Sequence, residues 1–326
     1  MNTINWGIIG ASRFAREHMG PAIHAAEGAR LCALASSDPA KAAGFQAFCP
    51  DLQLVQGYEA LLADPGIDAI YIPLPNHLHV EASLQAAAAG KHVLCEKPMG
   101  LTVGDYDRLI AARDGAALQM AEAFMILHHP QWHQVRDWIR AGEIGEIIHA
   151  DAAFSFRLED SGNIRMRPET AGGSLRDIGV YTFGALRYAT GAEVDPAGLV
   201  ARLGLENGVD TFAHVFGEMA GPGRRFTFAS TTSMRAAKRQ TVVIQGTKGL
   251  IRVDGGAFNA NVHDLARVEL QQGSRTISER YPAVNQYRLQ VEAFGRAIRG
   301  EADYPVPLEF SRGTQAALDA VFRIAG

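Results

Sequence analysis

Ile4-Asn5-Trp6-Gly7-Ile8-Ile9-Gly10-Ala11-Ser12-Arg13-Phe14-Ala15 decides the fold class. A short apolar run stops on a glycine, and a segment of helical character opens at once and continues to about Ala26. In this order a buried strand feeds a tight turn. The first N–H groups of the following helix have no partners inside the helix and can receive a pyrophosphate. Gly10 suits the turn and Ala15 is small enough for close helix packing, but Ser12 replaces the middle glycine of G-x-G-x-x-G. Its side chain would either crowd a phosphate or hydrogen-bond to it. The plain alternative is a strand-to-helix turn that binds nothing.

Further βα units follow. Arg30 to Ala35 reads as the second strand, and its end bears on the choice of dinucleotide. A ribose 2′-hydroxyl is commonly held by an acid there, whereas a 2′-phosphate needs donors and positive charge. The strand ends in Ala35-Ser36-Ser37 with Lys41 one turn into the next helix, which favours NADP; Asp38 keeps NAD possible. Ser37 or Asp38 also suits the cap of a helix starting at Pro39. Ala69 to Ile72 forms another buried strand, broken by Pro73-Leu74-Pro75-Asn76 before a helix bearing His77 and His79. Those histidines lack further ligands at a metal-binding spacing, so helix-start hydrogen bonding is the favoured reading and no metal is expected. An alanine-rich helix ends at Gly90, Lys91 to Leu94 is a strand, and Glu96-Lys97-Pro98 follows it. A cation at this strand end would sit in the crevice where a dinucleotide lies; a surface ion pair beside a turn proline is the alternative. Thr102 to Asp114 and Ala117 to Ala121 complete a doubly wound layer.

After about Ala123 the pattern changes. A helix over Gln131 to Ala141 precedes β-rich runs at Glu146–Arg157, Leu199–Leu205, Thr211–Glu218, Arg225–Ser233, Gln240–Gln245, Gly249–Val253 and Arg267–Gln271. Such a meander predicts a large, mostly antiparallel open sheet in an α+β domain. The expected division is a Rossmann domain over residues 1–123 and a substrate-binding and oligomerisation domain over 124–326. A sheet with one face bare is expected to pair in a homo-oligomer, a dimer or tetramer.

The 326 residues are 47% hydrophobic and 20% charged with net charge −4, a globular composition without the basic field that nucleic acid requires. The start shows no targeting pattern, and no apolar run approaches the roughly 20 residues that span a bilayer, so a cytoplasmic protein without a membrane partner is expected. Cys32, Cys49 and Cys95 form no C-x-x-C pair and read as reduced, buried side chains. His128, His129 and His133 suit a helix start better than a metal cluster, and Arg136, Arg140, Arg235, Lys238 and Arg239 read as solvated charges.

The chain resembles the family of glucose-fructose oxidoreductase and inositol dehydrogenase. The likeness runs through Trp6 to Ser12, Ile67 to Pro73, Asn76 to His79 and Ala89 to Pro98, then Phe124-Met125, His129-Pro130, Gly145-Glu146, Gly172-Gly173 and Asp177-Ile178-Gly179-Val180-Tyr181. Within the family it is most similar to the branch of dimeric dihydrodiol dehydrogenase, NADP-dependent xylose dehydrogenase and 1,5-anhydrofructose reductase. The resemblance implies that Lys97 is catalytic, that Tyr181 takes the acid/base position and that Asp177 supports the site. It carries cofactor contacts onto Gly10, Ala11, Ser12, Arg13, Phe14, Ser36, Ser37, Lys41, Ile72, Pro73, Leu74, Pro75, Asn76, His77, His79, Glu96, Lys97 and Glu122, with Arg165 and Tyr287 besides. Leu127 stands where several sugar dehydrogenases of the branch have arginine, and Ala171 and Ser174 interrupt their glycine-alanine run. These departures bear on the substrate.

The chemistry implied is hydride transfer at a CH–OH/C=O centre of a pyranose, polyol or cyclic diol. Tyrosine, with a pKa of about 10, is a poor base at neutral pH unless a nearby ammonium lowers it, the part expected of Lys97. The competing reading is a regulator that senses a dinucleotide or sugar on the same fold without chemistry. A sensor needs neither Lys97 nor Tyr181.

Overall fold

A computed structural model describes residues 3–36, 38–254, 256–262 and 265–325. It divides into two compact units, Met1–His128 with Asn285–Arg312, and His129–Val284 with Gly313–Gly326.

Among the described residues the first unit is built on six parallel strands: β1 (Ile4–Ile9), β2 (Ala29–Ala35), β3 (Gln53–Val55), β4 (Ala69–Ile72), β5 (His92–Cys95) and β6 (Met120–Glu122), in the order β3-β2-β1-β4-β5-β6. The strands are apolar along nearly their whole length, not alternately, because helices cover both faces: all four residues of β4 are buried. The order reverses between β1 and β4, which places the ends of these two strands at the topological switch point where doubly wound sheets bind ligands. Strand β3, three residues long, had no sequence signal of its own.

Helix ends follow local chemistry. The helix Val103–Ala116 starts in a capping box, with the Thr102 hydroxyl accepting from the Asp105 N–H and the Asp105 carboxylate accepting from the Thr102 N–H. Such a cap is worth about 1 kcal/mol. The first unit takes in residues beyond the expected 1–123. Helix Gln286–Ile298 belongs to the first unit, where Phe294 packs on Trp6 with ring centroids 5.4 Å apart. Both rings are fully buried, so this late segment completes the core of the nucleotide-type layer.

Among the described residues the second unit holds eight strands: β7 (Ile147–Ser155), β8 (Glu193–Glu206), β9 (Val209–Gly221), β10 (Arg224–Ser233), β11 (Arg239–Gly246), β12 (Leu250–Asp254), β13 (Ala266–Gln272) and β14 (Arg275–Tyr281). Their order is β14-β13-β12-β11-β7-β10-β9-β8, antiparallel except where β7 meets β10. Burial now alternates along β9 and β10, as it must when one face is covered. Helix Val180–Thr190 covers that face: Phe183 meets Phe228 edge-on at 5.8 Å, and the Ser230 hydroxyl donates to Thr182 at 2.8 Å. The other face carries Val200, Phe216, Ala229, Asp151, Val243, Arg252, Glu269 and Ser278 in one cross-strand row, none of them buried. Val200 is 64% and Phe216 50% exposed. Among the described residues no helix is long and apolar enough to cross a membrane.

Candidate active site

In the first unit the turn after β1 has the shape the sequence called for. Gly10 adopts φ +100°, and a Cβ there would lie 2.9 Å from Leu74 Cδ2, so only glycine lets the turn close onto the Pro73–Asn76 loop. The Ser12 question is answered by its partner: its hydroxyl accepts from the Ala15 N–H at 3.0 Å, which turns the side chain into the helix start. The Ala15 N–H is thereby satisfied from within the turn, and an anion at this helix start would draw on the N–H groups that precede it. Ala11 and Phe14 are half-buried beside it, and Arg13 is exposed and paired with Glu17. The helix then runs through a π turn, Ala15–Met19, a local irregularity frequent at functional sites.

At the end of β2 the Ser36 hydroxyl donates to the Asp38 carbonyl, while the Asp38 carboxylate accepts from the Ala40 N–H at 3.0 Å. Asp38 is thus a helix cap, and Lys41, 66% exposed along its side chain, lies 3.8 Å from it. Ser37 lies outside the described residues. Ile72 and Pro73 are buried, Leu74, Pro75 and Asn76 half-buried, and His77 exposed. His79 is engaged within the protein at both ring nitrogens. It is 1% exposed, with Nδ1 2.8 Å from the Pro98 carbonyl oxygen and Nε2 2.7 Å from that of Leu74. Burial lowers its pKa although the two carbonyls pull the other way. The ring ties the Pro73–Asn76 loop to the residue after Lys97.

Lys97 is half-buried on the loop that leaves β5. Next to it the Tyr71 hydroxyl donates to Glu96 Oε1 at 2.7 Å, and burial pushes the Glu96 carboxyl up to about 7 against the pull of Tyr71 and of the Lys97 charge. Glu122, at the end of β6, is 3% exposed and accepts from the Met99 N–H at 2.9 Å and from the Tyr106 hydroxyl. Its carboxylate is thus engaged with the loop that follows Lys97. Tyr287 belongs to this unit, stacked on His18 at 5.4 Å and edge-on to Phe14 at 5.7 Å. Leu127, the departure from arginine, is fully buried.

The second unit assembles the remaining residues. Tyr181 is the second residue of helix Val180–Thr190, and Asp177 lies in the π turn Leu175–Gly179 that leads into it. The Arg165 Nε donates to Asp177 Oδ2 at 2.7 Å, so the arginine expected at the cofactor is engaged with the acid expected to support the tyrosine. Tyr181 is 6% exposed among aromatic rings, 5.5 Å from Phe154 and 5.8 Å from Phe258. The turn before it depends on Asp210, a residue the sequence did not single out. Asp210 Oδ2 accepts from the Ser174 hydroxyl at 2.7 Å and from the Leu175 N–H at 2.8 Å. A Cβ on Gly173, at φ +113°, would stand 2.2 Å from Asp210 Oδ1, and one on Gly172 would stand 2.4 Å from the Arg165 carbonyl oxygen. The Gly172-Gly173 pair is thus required by close approach, and Ser174, where the family's glycine-alanine run is interrupted, adds a buried hydrogen bond. Among the expected histidine group, His128 lies 3.2 Å from the Tyr304 hydroxyl in the first unit, while the His129 ring caps helix Pro130–Arg140 in the second.

Residues 4–124 match the model of the oxidoreductase family with an NAD-binding Rossmann fold, and residues 132–252 match the GFO/IDH/MocA C-terminal domain. The uncharacterized oxidoreductase ORF334 of Rhizobium meliloti is 38% identical over 100% of this chain and 98% of its own length. The D-xylose 1-dehydrogenase (NADP(+)) 2 of Haloferax volcanii is 32% identical over 98% of this chain and 97% of its own. KijD10, a 3-ketoreductase from Actinomadura kijaniata solved with TDP-benzene and NADP, superposes with a TM-score of 0.89 at 30% identity, covering 99% of this chain and 98% of that one. Its solved variants replace one lysine and one tyrosine, separated in its sequence by as many positions as Lys97 and Tyr181 are here. The chain belongs to the GFO/IDH/MocA oxidoreductase family.

Proposed function

We propose that the chain is an NADP(H)-dependent oxidoreductase acting at a CH–OH/C=O centre of a pyranose sugar, polyol or cyclic diol. The observation that carries the reading is the presence of a lysine on the β5 loop and a tyrosine at the start of a second-unit helix, at the spacing of the pair replaced in the 3-ketoreductase variants. The bound dinucleotide supplies or accepts the hydride. The remaining chemistry falls to the chain: the hydroxyl proton of the substrate must leave as hydride leaves carbon, and return in the reverse direction. Tyr181 exchanges that proton, the Lys97 ammonium stabilises the developing oxyanion, and the Arg165–Asp177 pair orients the hydrogen bonds next to the tyrosine.

NADP is preferred over NAD in this reading because Asp38, the acid nearest the end of β2, is engaged as a helix cap, while the exposed Lys41 offers a positive charge. A cytoplasmic homo-oligomer follows from the same reading, with the bare face of the eight-stranded sheet covered by a second copy; Val200 and Phe216 are its apolar contacts. Replacing Lys97 by Met is expected to reduce turnover by about 10³-fold with NADPH binding retained. Near-normal turnover in that variant would sink the assignment.

A further inference from the structure

The three residues that follow Lys97 are each gripped by a different element. Pro98 is tied through its carbonyl to the buried His79 ring, the Met99 N–H donates to Glu122 Oε2, and Gly100 packs against Tyr106, where a Cβ would lie 3.0 Å from the ring. Tyr106 in turn donates its hydroxyl to the same Glu122 oxygen. A carboxylate 3% exposed that holds two donors costs more to bury than a neutral isostere, so loop packing alone does not account for it. What distinguishes it from a neutral side chain is its charge.

We infer that Glu122 is a positioning residue for Lys97: its buried carboxylate fixes the path of the loop through Met99 and Tyr106 and sets a negative charge beside the ammonium. The inference rests on the proposed role of Lys97. Burial raises the Glu122 pKa, while the Met99 N–H, the Tyr106 hydroxyl, the Ser311 hydroxyl and the Lys97 charge draw it down. The other groups that feel Glu122 are Glu96, Cys95 and Tyr304, and His79 also feels Lys97. Glu122→Gln preserves shape and removes the charge.

The test uses the whole protein without added cofactor. The rate at which acetic anhydride labels Lys97, located by peptide mass spectrometry, is measured against pH, because only the free amine reacts. In Glu122→Gln the labelling midpoint is expected to move to lower pH by on the order of one unit, the effect of losing one close opposite charge. In parallel, kcat should fall roughly tenfold with KM little changed, as befits an interaction made in the transition state. Superimposed labelling curves would overturn the inference. Should Glu122→Gln fail to fold, Tyr106→Phe removes one donor to the carboxylate, and the midpoint moves the same way by less; no movement overturns the inference equally. Lys97→Met separates the two readings. If that variant turns over normally, the catalytic reading fails; if it is inactive while the labelling curves coincide, Glu122 alone loses its role.

Discussion

Arg165 Nε donates to Asp177 Oδ2 at 2.7 Å, and Asp177 stands four residues ahead of Tyr181 on one helical stretch. The arginine is 40% exposed along its side chain and the aspartate 11%, so the pair is screened on one side only. In the proposed mechanism it holds the turn that aims Tyr181, and its loss should be felt in chemistry before it is felt in binding. For Arg165→Met we expect kcat to fall roughly tenfold with NADPH affinity, read by fluorescence, within about twofold of wild type. A loss confined to NADPH affinity would return Arg165 to the cofactor contact that the family resemblance gave it.

Gly173 offers a structural test of the same turn. With φ +113° and Asp210 Oδ1 2.2 Å from the position of a Cβ, Gly173→Ala combines backbone strain with a clash against a buried carboxylate. The expected cost is about 3 kcal/mol or more. Gly104→Ala is the control: it lies in the first turn of helix Val103–Ala116 with its nearest neighbour 3.8 Å away, and alanine there should be neutral or stabilising by about 0.5 kcal/mol. Urea unfolding of the two variants measures the difference.

The sequence disclosed the first sheet well because a parallel sheet covered on both faces needs uninterrupted apolar runs, and Ile4–Ile9, Ala69–Ile72 and the run into Cys95 are of that kind. Most of the second-sheet strands were legible from their alternation. Two short or polar strands were not: Gln53–Val55 is three residues long, and Arg275–Tyr281 lies largely exposed at the sheet edge, with little apolar content to mark it. Lys97, Tyr181 and Asp177 were visible through local motifs. Asp210, Tyr71 and Tyr106 were not, since each acts through a partner distant in sequence. Likewise, nothing local to Glu122 or His79 revealed that both would hold the loop after Lys97, and nothing in residues 285–312 marked them as part of the first unit.

Glu96 makes a pH prediction with a definite sign. Burial raises its carboxyl from 4.5 to about 7 in the folded protein. A group raised in this way favours the native state fully below its unfolded pKa, and that contribution is lost as pH rises through the folded value. Stability should therefore fall between about pH 4.5 and 7 more steeply in wild type than in Glu96→Gln. Parallel stability profiles for the two proteins would contradict the burial of an ionisable carboxyl at this position.

Cofactor choice is tested at Lys41. Replacing this exposed lysine by alanine is expected to raise KM for NADPH roughly tenfold while leaving KM for NADH unchanged, because only the 2′-phosphate loses a charged partner. Equal changes for both dinucleotides would assign Lys41 a general structural effect instead.

The central claim is that Lys97 and Tyr181 serve one hydride-transfer reaction of an NADP-linked enzyme. The most direct measurement follows absorbance of the reduced cofactor when wild-type protein is mixed with NADP and a panel of aldoses, inositols and cyclic diols, and with NADPH and the corresponding carbonyl compounds. The account predicts turnover on at least one of these, stronger with NADP than with NAD and lost in both Lys97→Met and Tyr181→Phe. Tight dinucleotide binding with no turnover in either direction would contradict it and leave the chain a sensor.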